Sequence, residues 1–327
     1  MRFGLIPSEG GDRYSDAIAE AELAEGLGFD SLWLEEHHGV RDHYWPSPLV
    51  VLSAIAARTS RLTLGTDVIV LPFYAPVRLA EDVAVLQGIS GGRFVLGLAA
   101  GYRPEEFALH DASLTGRGGR LEEAVGLIRA LWSGETVDHP GPAYRATGQI
   151  QPLPSPAPPI WLGGWGPKTI ERAARIADAW VPGPTADLER LVRLRADYDA
   201  ALVEAGRDPG TVRRPLTREV VVAATDEEAW RIAERHLLVN YRDEYGGGWS
   251  HPLVGGADAT PTDRLDALAD GRFIVGSPAT CIAIIRQIVD AYGPDELICR
   301  LFFAGMAHAT VVDEIRLLAS DVLPAFR

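Results

Sequence analysis

Eight times along the chain a short apolar run is followed by a stretch with helical periodicity, and this alternation restricts the fold more than any other feature. Strand signals alternating with helix signals specify βαβ units and a parallel sheet. The runs are Phe3–Pro7, Ser31–Leu34, Leu62–Leu71, Phe94–Ala99, Ile160–Gly163, Ala179–Val181, Leu216–Ala223 and Leu297–Phe303. Helix punctuation agrees. Ser15 is a candidate N-cap with Gly28 past the end of its helix, and Ser47-Pro48 and Ser277-Pro278 each set a cap before a first-turn proline. Two stretches break the rhythm: 134–159, with seven prolines, and 240–275, rich in glycine and aromatics. Strand–helix units resume after each, so both read as insertions within a single domain spanning 1–327. Eight units predict an α/β fold, a closed (β/α)8 TIM barrel with insertions after strand 4 and after strand 7. An open doubly wound sheet is the alternative. In a barrel, chemistry belongs at the C-terminal ends of the strands.

A chain of 327 residues, 47% apolar, is long enough for one large barrel with a self-sufficient core. Its net charge of −14 argues against nucleic-acid binding, which needs clustered Lys and Arg. No apolar run approaches the ~20 residues needed to span a bilayer, and the N-terminus lacks a signal-peptide pattern, so a cytoplasmic protein is expected. Cys281 and Cys299 are no disulfide framework and read as buried thiols.

The second strand ends in Trp33-Leu34-Glu35-Glu36-His37-His38-Gly39, two carboxylates and two imidazoles at a strand end. Adjacent His37 and His38 on extended chain point to opposite sides, so only one faces a barrel mouth. That disfavours metal binding, and no H-x-x-x-H or C-x-x-C occurs. A single pocket histidine is a good acid or base, and a hydrogen-bonded structural histidine is the other reading. Asp67, inside the apolar third run, reads either as a turn cap or as part of a cofactor wall. Small residues after strand four, Ala99-Ala100-Gly101, permit close approach to the backbone. Glu105 and Glu106 follow at a helix start, where the dipole favours carboxylates in any case. In Ile160-Trp161-Leu162-Gly163-Gly164-Trp165-Gly166-Pro167-Lys168-Thr169 a strand, a glycine-rich turn and a helix N-terminus follow in order, either an anion site or a tight βα turn.

These segments, in this order and over nearly the whole chain, resemble the bacterial-luciferase-like flavin monooxygenase superfamily. The strongest parts are GFDSLWLEEHHG (28–39), the segment from Leu62 to Leu98, GYRPEEF (101–107), and PPIWLGGWGPKTIERAARIADAW (158–180). The resemblance implies a (β/α)8 barrel binding reduced flavin at its C-terminal mouth. Glu36-His37-His38 matches the family's Glu-His-His segment, so His37 inherits the role of assisting flavin–oxygen chemistry. Glu106 matches an acidic residue near the flavin. A non-prolyl cis peptide under the flavin ring maps onto Asp67–Val68, with Ala100, Gly101, Tyr102, Gly164 and Trp165 as further cofactor wall. For the flavin phosphate, Gly166 and Thr169 match the turn after strand five and Arg120 matches a helix arginine. A strand-four arginine is replaced by Ala100 and a hydroxyl-bearing residue by Gly166. Lys168 and Arg103 are cations able to stand in.

The leading expectation is a monooxygenase using reduced FMN and O2 on a small, fairly apolar substrate, with a separate NAD(P)H:flavin reductase as donor, since no dinucleotide fingerprint is present. The alternative is an F420-dependent oxidoreductase transferring a hydride without O2. A non-catalytic flavin-binding protein is a third class. The stretch 240–252 is a candidate lid, with Tyr241, Tyr245, Trp249 and His251 facing substrate, and Phe73 and Tyr74 after strand three are further pocket candidates. The resemblance also implies a homodimer.

Overall fold

The computed structural model describes residues 1–40, 44–245 and 268–327, with the backbone alone for 242–245. The candidate lid residues Trp249 and His251 lie outside the described residues. So does the side chain of Tyr245, whose backbone ends a helix.

The eight expected units are present. They are β1 (Arg2–Ile6) with α1 (Tyr14–Leu27), β2 (Ser31–Leu34) with α2 (Pro48–Ala56), and β3 (Thr63–Thr66) and β4 (Ile69–Val70) with α3 (Pro76–Ile89). Next come β5 (Phe94–Ala99) with α4 (Pro104–Leu109) and α5 (Arg117–Trp132), then, beyond residues 134–159, β8 (Ile160–Gly163) with α6 (Pro167–Ile176). The last are β9 (Ala179–Val181) with α7 (Leu188–Glu204), β10 (Pro215–Val222) with α8 (Asp226–Tyr245), and β12 (Glu296–Arg300) with α10 (His308–Leu317). Among the described residues nine strands, with β11 (Ile274–Gly276) at one end, lie along one curled, all-parallel path in the order β11-β10-β12-β1-β2-β3-β5-β8-β9. An isolated parallel bridge from Ala179 to Arg213 links β9 to the chain entering β10. This is an α/β fold of TIM-barrel type.

Several boundaries differ from expectation. The ninth strand, β11 (Ile274–Gly276), pairs with the second half of β10, and α9 (Pro278–Tyr292) follows it. It falls in the stretch read as irregular; a three-residue run carries too little periodicity to register. Residues 240–245 continue α8, so the stretch read as irregular is helical at its start. The stretch 134–159 holds an antiparallel hairpin, β6 (Val137–Pro140) and β7 (Arg145–Gly148), and two cis prolyl bonds at Pro152 and Pro156. Ser15 is the second residue of α1 rather than its cap, whereas Gly28 closes that helix in the left-handed conformation. The third expected strand is divided into β3 and β4 by a cis Asp67–Val68 peptide.

Strand side chains alternate between two cores. One lies between the sheet and the helices. The other, inside the curl, comprises Ile6, Trp33, Val95, Trp161, Ala179, Val181 and Ile298 with Val68 against it. Trp33 and Trp161 stack at 4.6 Å. Trp33 requires Gly65 beside it, because a Cβ there would sit 2.2 Å from its ring. Val68 and Val181 belong both to this plug and to the cavity above it, so the plug is the floor of the site.

Candidate functional site

A cavity of about 460 Å³ opens at the C-terminal ends of the strands. β2 delivers Glu35, Glu36 and His37; β3 and β4 deliver Asp67, Val68 and Val70; β5 delivers Ala99, Ala100, Gly101 and Tyr102. The turn into α6 brings Gly163 through Pro167 and Thr169, and β9 with its following loop brings Val181 and Gly183 through Thr185. Arg117 and Arg190 come from the first turns of α5 and α7. Two glycines make the wall thin. A Cβ on Gly101 would meet Val70 at 2.5 Å and the Phe107 ring at 2.9 Å, and one on Gly163 would meet Val68 at 3.1 Å.

His37 faces this cavity and His38 does not, as alternation along extended chain requires. His37 Nδ1 lies 2.7 Å from Glu106 Oε1. The same oxygen accepts the His38 amide at 3.0 Å and Arg103 Nη1 at 3.1 Å. Burial raises the Glu106 carboxyl, but the His37 ring, the His38 amide and Arg103 outweigh it and hold it below its ordinary value. Glu106 is buried and is not a lining residue, so it acts on the cavity through His37. Tyr44 presses its ring edge on His37 at 4.6 Å, and Tyr102 stands at 6.2 Å.

His38 turns away from the cavity, and its side chain is largely buried. Its ring meets His110 at 4.3 Å and Phe73 at 5.4 Å, and Phe73 stacks on His110 at 4.4 Å. Phe73 and Tyr74, expected in the substrate pocket, do not line the cavity. The short helical turn after β4 carries them outward, where the Tyr74 hydroxyl donates to buried Glu36. The other Glu36 oxygen accepts the Val70 amide at 2.5 Å, tying the end of β2 to the chain just past the cis peptide.

Close to His37 lies a buried polar set in which sequence reasoning singled out only Glu35, Asp67 and Tyr241. Arg300 Nη2 donates to the Tyr44 hydroxyl at 2.6 Å, its Nε lies 3.0 Å from Glu35, and its Nη1 lies 4.0 Å from Glu219. The Glu35 amide donates to Glu9 at 2.8 Å, and Tyr241, expected to face substrate from the lid, is instead buried in α8, does not line the cavity and donates to Glu219 at 2.9 Å. Burial, then the Glu35 charge, push Glu9 well up. Burial also raises Glu219, against the Arg300 charge, and lifts Asp67 to about 6 against a Thr217 hydrogen bond. The floor therefore retains protons at pH values where exposed carboxylates have lost them.

The expected phosphate donors are distributed differently. Gly166 and Thr169 line the cavity. Arg120 does not; its guanidinium caps the carbonyls of Ser113 and Thr115. Lys168 is exposed and outside the lining, and Arg103 is committed to Glu106. Among the described residues, Arg117 and Arg190 are the arginines that line the cavity instead. Their sequence signal was available: a cation in the first turn of a helix stands against the helix dipole and needs another reason to be there. Among the described residues no group of three His, Cys, Asp or Glu side chains is placed to hold a metal ion, and no helix is long and apolar enough to cross a membrane.

A family profile described as luciferase-like monooxygenase matches residues 1–295. The chain belongs to this family. An F420-dependent glucose-6-phosphate dehydrogenase of Nakamurella multipartita is 36% identical over 343 residues, covering 100% of this chain and 97% of that protein. The oxygenase component of a flavin-dependent trigonelline monooxygenase from Acinetobacter baylyi is 29% identical over 245 residues, 72% of this chain and 66% of that protein. The crystal structure of monooxygenase RslO1 from Streptomyces bottropensis superposes with a TM-score of 0.84 at 26% identity, each chain covered in full. Luciferase-like relatives thus include both monooxygenases and F420-dependent dehydrogenases, and this chain is an oxidoreductase of that family.

Proposed function

We propose that the protein is a reduced-flavin-dependent monooxygenase acting on a small, fairly apolar substrate. The observation that carries this reading is His37: one imidazole, fixed from behind by Glu106, on the wall of a cavity whose other surfaces are largely apolar or glycine. The residues fit a flavin. The cavity has the size of a cofactor site, Val68, Ala100, Val181 and Trp165 offer flat apolar surface, and Arg117 with the α6 N-terminus offers an anion end. When bound, reduced FMN supplies the reaction with O2. His37 holds or gives a proton at its cavity-facing nitrogen, and Glu106 sets its tautomer and orientation. The apolar walls exclude water, which would otherwise compete for the reactive species. In this reading the sheet is a closed (β/α)8 barrel, which the Ala179–Arg213 bridge supports.

A separate NAD(P)H:flavin reductase supplies the flavin, as the trigonelline relative's description as an oxygenase component supports. The chain forms a homodimer through α2 and α3, where Val50, Val85 and Ile89 are exposed. A second reading, hydride transfer with F420, is favoured by the full-length match to the Nakamurella dehydrogenase. Anaerobic titration with reduced FMN and, separately, reduced F420, followed by admission of O2, separates the two. FMN binding with oxygen-dependent product is expected, and His37→Ala is expected to keep the binding and lose the product. Tight F420 binding with oxygen-independent turnover would remove the monooxygenase reading.

A further inference from the structure

Among the described residues, the cavity lining carries two guanidiniums that the chemistry at His37 does not use. Arg117 is the first residue of α5 and Arg190 the third of α7, both against their helix dipoles. The Arg190 amide donates to Asp187 Oδ1 at 2.8 Å, which fixes where its side chain departs. No carboxylate or carbonyl among the described residues meets its guanidinium. Neighbouring arginines behave otherwise: Arg193 pairs with Glu189, Arg195 with Asp199 at 2.8 Å, and Arg272 with Asp187 at 3.4 Å. Arg117 gives Nε to the Gly101 carbonyl at 2.9 Å and Nη1 to the Leu114 carbonyl at 3.1 Å, leaving Nη2 without a described partner.

Strand order separates charge within the cavity. Arg117, the start of α6, and Arg190 follow β5, β8 and β9, which are consecutive in the sheet. The lining carboxyls Glu35, Glu36 and Asp67 follow β2 and β3, on the other side of β5. One side of the site is therefore cationic in a chain of net charge −14. We propose that Arg190, with Arg117, is an anion site that takes the phosphoryl group of the cofactor, whether the monoester of FMN or the diester of F420. It replaces the donors missing at Ala100 and Gly166 and the guanidinium that Arg120 commits elsewhere. The source of the phosphoryl group rests on the flavin reading; the anion site does not.

The test uses the full chain and Arg190→Gln, with inorganic phosphate followed by thermal shift, and reduced FMN and reduced riboflavin titrated anaerobically and followed by flavin absorbance. Phosphate is expected to raise the melting temperature of the wild type but not of the variant. Wild type is expected to bind FMN about 10- to 100-fold more tightly than riboflavin. Arg190→Gln is expected to erase most of that ratio and leave riboflavin affinity unchanged, while Arg190→Lys keeps part of it. F420 in place of FMN reports the diester in the same way. Phosphate stabilisation lost in Arg190→Gln, with no flavin bound by either protein, leaves the anion site standing and removes the flavin reading. A phosphate response and an FMN-to-riboflavin ratio both unchanged by Arg190→Gln overturn the inference.

Discussion

Asp67 tests how the cavity floor handles protons. Burial lifts its carboxyl from 3.8 to about 6, against a Thr217 hydrogen bond and the Arg300 charge. The unfolded chain releases this proton near 3.8 and the folded chain near 6. Between those values the folded state is the more protonated one, so stability falls as pH rises through the window and levels off above it. At about 1.36 kcal/mol for each factor of ten, the full effect is about 3 kcal/mol. Over the range from about pH 4.5 to about pH 7.5 the same linkage gives about 2 kcal/mol. Asp67→Asn does not titrate, and its carbonyl oxygen still accepts from Thr217. Urea midpoints for both proteins across that range should show the variant gaining about 2 kcal/mol on the wild type, most of it by about pH 6.5. A fixed difference in packing appears as a constant offset and does not disturb the slope. Glu9 is raised in part by the Asp67 charge, so its response in the variant adds in the same direction. A difference independent of pH, or one that shrinks as pH rises, refutes the argument from burial.

Two other substitutions probe the frame around the site. A Cβ on Gly97 would lie 1.9 Å from the Thr66 carbonyl oxygen and 3.0 Å from Val68, so Gly97→Ala should cost about 3 kcal/mol in denaturant unfolding; a wild-type midpoint would show that β3 and β5 separate freely. Burial raises Glu25, but the amides of Arg61, Leu62 and Ser60 outweigh it and bring its carboxyl to about 2. Glu25→Gln should therefore lose about 1 kcal/mol, with the deficit present above 4.5 and vanishing as pH falls toward 2, as unfolding curves at several pH values would show.

Much of this site was legible before any coordinates. Opposite orientation of His37 and His38 follows from extended backbone, and the structure places one in the cavity and the other against His110. The break at Asp67–Val68 fell where the resemblance put it. Phe73 and Tyr74 were less legible, because a turn of 3-10 helix after β4 reverses the side an extended chain would present. The role of Glu106 was half legible: its place at a helix start was clear, but its position behind His37 depends on a contact across 69 residues.

Strand and helix alternation, the glycine-rich turns and the acid–histidine strand end are local patterns. Each follows from steric and burial preferences within a few residues, and together they determined the fold type and the end of the sheet where the cavity opens. Which charges meet at that end is not local. Arg300 reaches Tyr44 across 256 residues of sequence because β12 and β2 both flank β1. Arg190 rather than Arg120 lines the cavity because nearby carbonyls hold one guanidinium and no described partner holds the other. Such pairings depend on strand order and on competition among hydrogen-bond acceptors, and only the tertiary structure decided them.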